Sequence, residues 1–330
     1  MGSHEIPIID IGRLTGKEGA EGIDAVARQI RDACVNYGFF YISDHGVSEQ
    51  LIAEAIAANQ TFHARPLAEK LKLRLNQWHR GFEPFAASTL LSSTRFEPAK
   101  QADQLESYVV RQEVSPDDPG YCKKELMGPN LWPDDPAFRD VAERYDQALR
   151  DLGLRLLPAF SVAVGESPTF FSDLMVPATT AMRMIHYSPL PKSRAGDLYG
   201  IQPHTDYGFI TILAQDDVGG LEVRRVDGSW IDARPISGTF IVNIGDILAR
   251  WTNDVFNSTP HRVINRSDQR SRYSIAMFFD PHVDTVVNCL DGFKDDAVPN
   301  KYNAVRYGDY LLGRLNTNHP VGTQTDAAVG

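Results

Sequence analysis

His204 and Asp206 stand two residues apart, a second histidine follows at His261, and Arg272 and Ser274, again two apart, come just beyond it. Two imidazoles and one carboxylate can hold Fe(II) on one side and leave the opposite coordination positions open for oxygen and an organic ligand. A guanidinium beside a hydroxyl is a receptor for a carboxylate, because the planar fork pairs with both oxygens through short, charge-assisted bonds. In an extended strand, residues two apart project from the same face about 6–7 Å apart, so each pair can converge on one point. In a helix the same spacing sends them to different faces. The donor set would also suit Zn(II), which leaves a hydrolase open at this point, although the helical His-Glu-x-x-His arrangement of that class is absent. A binding barrel with an inert triad is also open.

The surrounding residues specify the elements that must do the positioning. Ile201–Leu213 is rich in β-branched and aromatic types and predicts a strand or strand edge around His204 and Asp206. His261 must then arrive from another strand. Thr239–Ile244 reads as a short apolar strand, Gly245-Asp246 as a turn, and Ser258-Thr259-Pro260 as an extended approach, since a residue before proline is pushed out of the helical region. Past the polar turn Asn265–Gln269, Arg272–Phe279 predicts a third strand. Turn signals at Gly219-Gly220, Asp227-Gly228 and Gly238 separate short strands from Ala181 onward, the pattern of an antiparallel jelly roll.

The N-terminal half is mixed. A helix is expected from about Gly22 to Asn36, where Ile23, Val26, Ala27, Ile30, Ala33 and Cys34 recur at helical spacing. A strand over Tyr37–Ile42 and a helix over Ser48–Ala64 follow, with Ser48 as its N-cap. Gly81–Pro129 reads as irregular and polar. A long amphipathic helix is expected from Ala137 to Val164, with Pro158 bending or interrupting it. The tail from Asn316 to Gly330 is polar, rich in small residues and expected to be mobile. The fold class is therefore mostly β with flanking helices, without repeats or separating linkers.

At 330 residues, 42% hydrophobic and 23% charged, the chain can bury one large core. A formal charge of −10 argues against nucleic acid or an anionic membrane as a partner and favours a small molecule. Cys34, Cys122 and Cys289 are odd in number and scattered, which points to reduced thiols and a cytoplasmic setting. No signal peptide and no apolar run of membrane-spanning length is expected.

The order His-x-Asp, a long gap, His and Arg-x-Ser resembles the Fe(II)/2-oxoglutarate-dependent oxygenases of the isopenicillin N synthase-like superfamily. Ile6–Asp10 is similar to the family's opening strand. Tyr37–Ile42 with Asp44-His45-Gly46-Val47 is similar to its Gly-Phe-Phe and Asn-His-Gly segments, Asp44 replacing the usual asparagine. Phe62–Lys70, Arg80-Gly81-Phe82 and Arg183–Pro189 extend the likeness over about residues 5–285. The resemblance implies an N-terminal non-haem dioxygenase region (1–130), a linking helical region (131–179), a jelly-roll core with an N-terminal α/β segment and a long supporting helix (core 180–285) and a C-terminal segment (286–330), packed as one unit.

For the site, the resemblance implies iron on His204, Asp206 and His261, with 2-oxoglutarate as co-substrate, its far carboxylate held by Arg272, Ser274 and Tyr187. It implies O2-dependent hydroxylation, desaturation or cyclisation of a small molecule, with release of succinate and CO2 and no catalytic residue beyond the metal centre. Some relatives do without 2-oxoglutarate and use the Arg-x-Ser pair for the substrate's own carboxylate. Ile185 stands where plant members often carry an asparagine, which removes one co-substrate contact. His45 reads as N-terminal scaffold, His186 alternates away from Tyr187, and His63, His79, His282 and His319 lack partners at ligand spacing. Phe82, Phe85, Phe96, Tyr108, Phe209 and Phe279 could line an apolar pocket or serve as core. Substrate and oligomeric state stay open.

Overall fold

Period-two alternation of side chains builds two separate cores on one large sheet. The computed structural model describes residues 5–15, 19–85, 102–190 and 198–318. The eight-stranded sheet carries, in order, β1 (Ile8–Asp10), β2 (Phe39–Ser43), β10 (Phe240–Ile244), β7 (Ile210–Gln215), β12 (Arg272–Asp280), β5 (Thr179–Tyr187), β4 (Leu105–Arg111) and β3 (Gly81–Glu83). A four-stranded sheet of β6 (Ile201–His204), β11 (His261–Val263), β8 (Leu221–Arg224) and β9 (Trp230–Asp232) lies across it. Phe39, Tyr41, Ile185 and Ile241 of the larger sheet meet Ile201, Leu221, Val223 and Val263 of the smaller in the space between. The alternate side chains, among them Phe40, Met184, Ile275, Met277 and Phe279, turn outward onto α1 (Gly19–Asn36), α2 (Glu49–His63) and α4 (Pro136–Ala163). Two short helices, α3 (Leu67–Leu71) and α5 (Phe170–Leu174), follow α2 and α4 in the chain. This is the expected mostly-β jelly roll with its flanking helices.

Local chemistry explains several junctions. Ser48 accepts a hydrogen bond from the Leu51 amide and starts α2, as its type predicts. Asp44 adopts φ +51°, a left-handed conformation that asparagine and aspartate tolerate best among non-glycine residues, so the exchange of one for the other costs the turn little. Gly153 lets α4 lie directly on β12: a Cβ there would stand 2.4 Å from Cδ2 of Phe279. In an exposed helix Gly→Ala gains up to about 1 kcal/mol. Here Gly153→Ala is expected to destabilise by about 1–3 kcal/mol through overpacking, read as a lower thermal midpoint; a midpoint at or above that of the parent would contradict the packing.

Four expectations change. The stretch 81–129 contains β3 and β4, central to the site, because β4 carries polar groups on both faces and so lacks the alternation that marks a strand. Of the bend or interruption expected at Pro158, the interruption does not occur, and α4 continues through it. The proline costs the helix one hydrogen bond, at the carbonyl of Leu154. Asp246 opens a short helix, α6 (Asp246–Trp251), where a turn was expected. The C-terminal tail starts later than expected, since α7 (Tyr307–Asn318) includes residues 316–318; the remainder lies outside the described residues. Among those described, no helix is long and apolar enough to cross a membrane.

Candidate active site and metal centre

Antiparallel pairing sets His204, the last residue of β6, directly opposite His261, the first of β11, with ring centroids 4.2 Å apart. Asp206 lies two residues past the end of β6, and both Nε2 atoms stand 3.8 Å from its Oδ1. Each of these three atoms is aimed by what the other polar atom of its side chain does. His204 Nδ1 donates to the Gln202 carbonyl at 2.8 Å and His261 Nδ1 to the Thr259 carbonyl at 3.2 Å, an arrangement that keeps the Nε2 lone pairs facing inward. Asp206 Oδ2 accepts from Thr211 Oγ1 and, at 2.7 Å, from Asn243 Nδ2. Thr211 and Asn243 are cross-strand neighbours on β7 and β10, so the carboxylate is anchored to the opposite sheet.

The turn after Asp206 is fixed by its backbone. The Asp246 amide donates to the Asp206 carbonyl at 2.8 Å and the Ile247 amide to the Gly208 carbonyl at 3.0 Å, which uses donors that the first turn of a helix leaves unpaired. Gly208 is required: a Cβ there would fall 1.7 Å from Asp280 Oδ1. Burial, with repulsion from His261, pushes the His204 imidazole down to about 3. Burial opposes ionisation of Asp206, but His261 and His204, then Thr211 and Asn243, hold its carboxyl below the ordinary range. A neutral imidazole beside an ionised carboxylate is the protonation that divalent metals require of such ligands. The donor atoms of His204, Asp206 and His261 lie within 4.8 Å of one another, so the trio can hold one ion.

Arg272 and Ser274 share the inner face of β12, and Tyr187 is the cross-strand partner of Arg272 on β5. Arg272 is 0% exposed. Its Nη1 donates to Ser274 Oγ at 3.2 Å and its Nη2 to Gln215 Oε1 at 3.1 Å, with the guanidinium 4.7 Å from the centre of the Tyr187 ring. Nε is buried without a partner, and no carboxylate among the described residues pairs with this charge. Asp216 feels it, but the Asp216 oxygens already accept from the Tyr273 and Val218 amides. An uncompensated buried guanidinium is costly, and a bound anion would offset that cost. Gly200 leaves the room: its Cβ would meet Cδ1 of Tyr187 at 2.7 Å.

The triad sits between this clamp and a cavity. Along the inner face of β12 the order is Arg272, Ser274, Ala276, Phe278, Asp280; Ser274 lies opposite Gln215 and Phe278 opposite Thr211, which anchors Asp206. From Gln215 to Thr211 is four residues, about 13 Å of strand. Phe278 and Asp280 line a cavity of about 120 Å³ that reaches His204 and Asp206 and is also lined by Leu311 and Leu315 of α7. Its charged lining, Glu83, Asp103, Arg111, Arg183 and Asp280, was not anticipated. Four of the six aromatic candidates, Phe82, Tyr108, Phe209 and Phe279, belong to the helix-side core. Phe85 is 40% exposed, and Phe96 lies outside the described residues. Strand parity could have shown part of this, because Phe278 rather than Phe279 shares a face with Arg272 and Ser274.

The other histidines resolve individually. His45 packs at a tilt against Phe240, and its Nδ1 accepts from the Val47 amide, a scaffold role. His282 caps the Asp284 amide, His79 lines the cavity, and His319 lies outside the described residues. Contrary to the sequence reading, His63 has partners: it and His186 approach Glu106 at 3.3 and 2.9 Å across α2, β4 and β5. Lys70 Nζ already contacts both Glu106 oxygens, at 2.9 and 2.8 Å, so an ammonium occupies the place a metal would need.

Comparisons with known proteins agree with this architecture. The family model for the 2OG-Fe(II) oxygenase superfamily matches residues 178–281, and that for the non-haem dioxygenase in morphine synthesis N-terminal matches residues 6–135. The chain is 35% identical to a 2-oxoglutarate-Fe(II) type oxidoreductase of Emericella nidulans, covering 95% of this chain and 90% of that protein. It is 34% identical to a homoarginine-6-hydroxylase of Oryza sativa, covering 95% and 97%. Among solved structures, a full-length Neurospora crassa protein in complex with alpha-KG and thymine superposes with a TM-score of 0.82 at 27% identity, covering 94% of this chain and 96% of that one.

Proposed function

This chain belongs to the 2OG-Fe(II) oxygenase superfamily, and on that footing we propose that His204, Asp206 and His261 hold its iron. Arg272 and Ser274, with Tyr187 beneath, seat the distal carboxylate of 2-oxoglutarate, and the cavity beyond the triad receives the molecule that is oxidised. The observation that carries this reading is the convergence of three open donor atoms, His204 Nε2, His261 Nε2 and Asp206 Oδ1, with both Nε2 atoms 3.8 Å from the carboxylate oxygen. When bound, the iron and 2-oxoglutarate supply an oxidant able to take hydrogen from a C–H bond, with consumption of O2 and release of succinate and CO2.

The protein's own residues do the positioning. Thr211 and Asn243 hold Oδ2 so that Oδ1 meets the metal, and the carbonyls of Gln202 and Thr259 keep both imidazoles in the ligating tautomer. Arg272 supplies a buried charge that a dicarboxylate neutralises. The apolar shell of Ile185, Ile201, Leu221 and Val263 excludes water between clamp and triad, which strengthens both sets of interactions. The opposite placement of clamp and cavity favours separate sites for co-substrate and substrate over use of the Arg-x-Ser pair for the substrate itself. The relatives' names include a homoarginine hydroxylase, and the Neurospora crassa protein was solved with thymine, so a small molecule is the expected substrate.

The direct test is succinate formation by Fe(II)-loaded protein with 2-oxoglutarate, assayed against a panel of small molecules. Succinate is expected to appear in step with oxidised product; product formed without succinate would sink the co-substrate assignment.

A further inference from the structure

Three arginines occupy the inner face of the larger sheet; Arg183 is paired with Glu83, and of the two without a carboxylate partner among the described residues only Arg272 is accounted for by the co-substrate. The other is Arg111. Leu105, Ser107, Val109 and Arg111 alternate onto the inner face of β4: Leu105 joins the core between the sheets, Ser107 bonds to Glu83 and Arg183, and Val109 and Arg111 line the cavity. Arg111 is opposite Ala181, which is opposite Phe278, so it stands at the cavity end of the sheet, away from the clamp.

The other charged groups of the cavity are engaged. Arg183 pairs with Glu83 at 2.9 Å, Asp103 accepts the Gln202 amide at 2.9 Å, and Asp280 accepts the Phe209 amide at 2.7 Å. Arg111 is 7% exposed, and its guanidinium makes one hydrogen bond among the described residues, from Nε to the His79 carbonyl at 3.2 Å. That bond fixes the plane of the fork. Asn130 brackets the Arg111 backbone, accepting from its amide at 3.0 Å and donating to its carbonyl at 2.7 Å, so the residue is held in place while Nη1 and Nη2 have no partner among the described residues. Tyr307 and then Asp280 favour the charge electrostatically without a hydrogen bond to it among the described residues, and buried Arg80 adds positive potential. Burial lowers the guanidinium to about 10, which still leaves it charged at neutral pH.

A rigid, buried, charged fork with its two-nitrogen edge unused is the geometry that receives a planar two-oxygen anion. We propose that Arg111 is the substrate's carboxylate receptor, and that this oxygenase acts on an organic acid whose carboxylate seats on Arg111 while its carbon chain lies along Val109, Ala181 and Phe278 toward the triad. A carboxylate is favoured over a phosphate, since Asp280, Asp103 and Glu83 on the same walls repel a dianion more strongly. The inference rests on the assignment of Arg272 to 2-oxoglutarate, which leaves Arg111 as the free anion site.

The test uses Fe(II)-loaded protein saturated with 2-oxoglutarate and held without oxygen, titrated by calorimetry with 3-methylbutanoate, 3-methylbutanamide and methyl phosphate. The acid is expected to bind about tenfold or more tighter than the amide, and tighter than the phosphate. Arg111→Gln is expected to abolish that preference and Arg111→Lys to restore part of it. Equal binding of acid and amide, a preference that survives Arg111→Gln, or stronger binding of methyl phosphate would overturn the proposal. The 2-oxoglutarate affinity, titrated separately, is expected to be the same in Arg111→Gln as in the parent; a fall there would place Arg111 at the co-substrate and overturn it too. Because the two ligands are read in separate titrations, failure of the clamp assignment shows in one and failure of the carboxylate receptor in the other.

Discussion

Asp206→Ala is expected to give a folded protein that neither retains iron nor turns over 2-oxoglutarate. The carboxylate is the only anionic donor of the trio, and it alone would tie a bound metal to the larger sheet, through Thr211 on β7 and Asn243 on β10. Its removal leaves two neutral imidazoles whose rings are already held by backbone carbonyls, too weak a set to compete with solvent for Fe(II). A graded series separates ligation from architecture. Asn243→Ala removes one hydrogen bond to Oδ2 and leaves Oδ1 in place, so metal affinity is expected to fall by about 10–100-fold with turnover recoverable at high iron. Asp206→Ala should lie beyond recovery at any iron concentration. Metal analysis after dialysis, with circular dichroism as the control for folding, reads both. Iron retained by Asp206→Ala would remove the residue from the ligand set.

How much of this was legible in the sequence depends on whether a residue's role is set by its own strand or by a distant one. Arg272 and Ser274 could be placed because they obey the two-residue period within a strand whose apolar pattern is strong, and His261 because Ser258-Thr259-Pro260 makes its approach extended. Asp206, expected on one strand face with His204, instead lies past the end of β6, in the turn before β7. The partners that complete the site were not legible. Thr211 and Asn243 look like ordinary strand residues, and only the pairing of β7 with β10 sets them side by side beneath Asp206. Strand β4 was missed because Glu106 faces the helices, where Lys70 and His63 meet it, while on the other face Ser107 meets Glu83 and Arg111 lines the cavity. Polar groups on both faces erase the alternation that would have announced a strand. The His63–His186 pair was missed for the same reason, since its members come from α2 and β5 and their separation in space is decided by helix-on-sheet packing. Pro158 does not interrupt α4, because packing of one helix face outweighs the single hydrogen bond that the proline removes.

Arg272→Met is expected to raise the stability of the metal-free protein while removing 2-oxoglutarate binding, and the two effects together distinguish a ligand clamp from a structural residue. In the absence of ligand the Arg272 guanidinium is fully buried, is hydrogen-bonded among the described residues only to the neutral oxygens of Ser274 and Gln215, and leaves Nε unpaired. Replacing buried charge with an apolar side chain of similar volume is neutral or stabilising by about 1–4 kcal/mol. The flanking Tyr187 ring and the Ile185 and Val263 side chains offer methionine an apolar seat. With 2-oxoglutarate the sign is expected to reverse, because the same charge would form a desolvated pair with the distal carboxylate; its loss is expected to weaken co-substrate affinity by about 100-fold or more. Arg272→Lys keeps the charge without the fork and should fall between the two. Iron affinity should not change in either variant, since the clamp lies about 13 Å of strand from the residues that anchor Asp206. If Arg272 instead served to hold β12 to β5 and β7, Arg272→Met would lower the melting midpoint of the metal-free protein. A drop in that midpoint with 2-oxoglutarate affinity intact would make Arg272 part of the scaffold and leave Arg111 as the stronger candidate for a carboxylate site on this sheet.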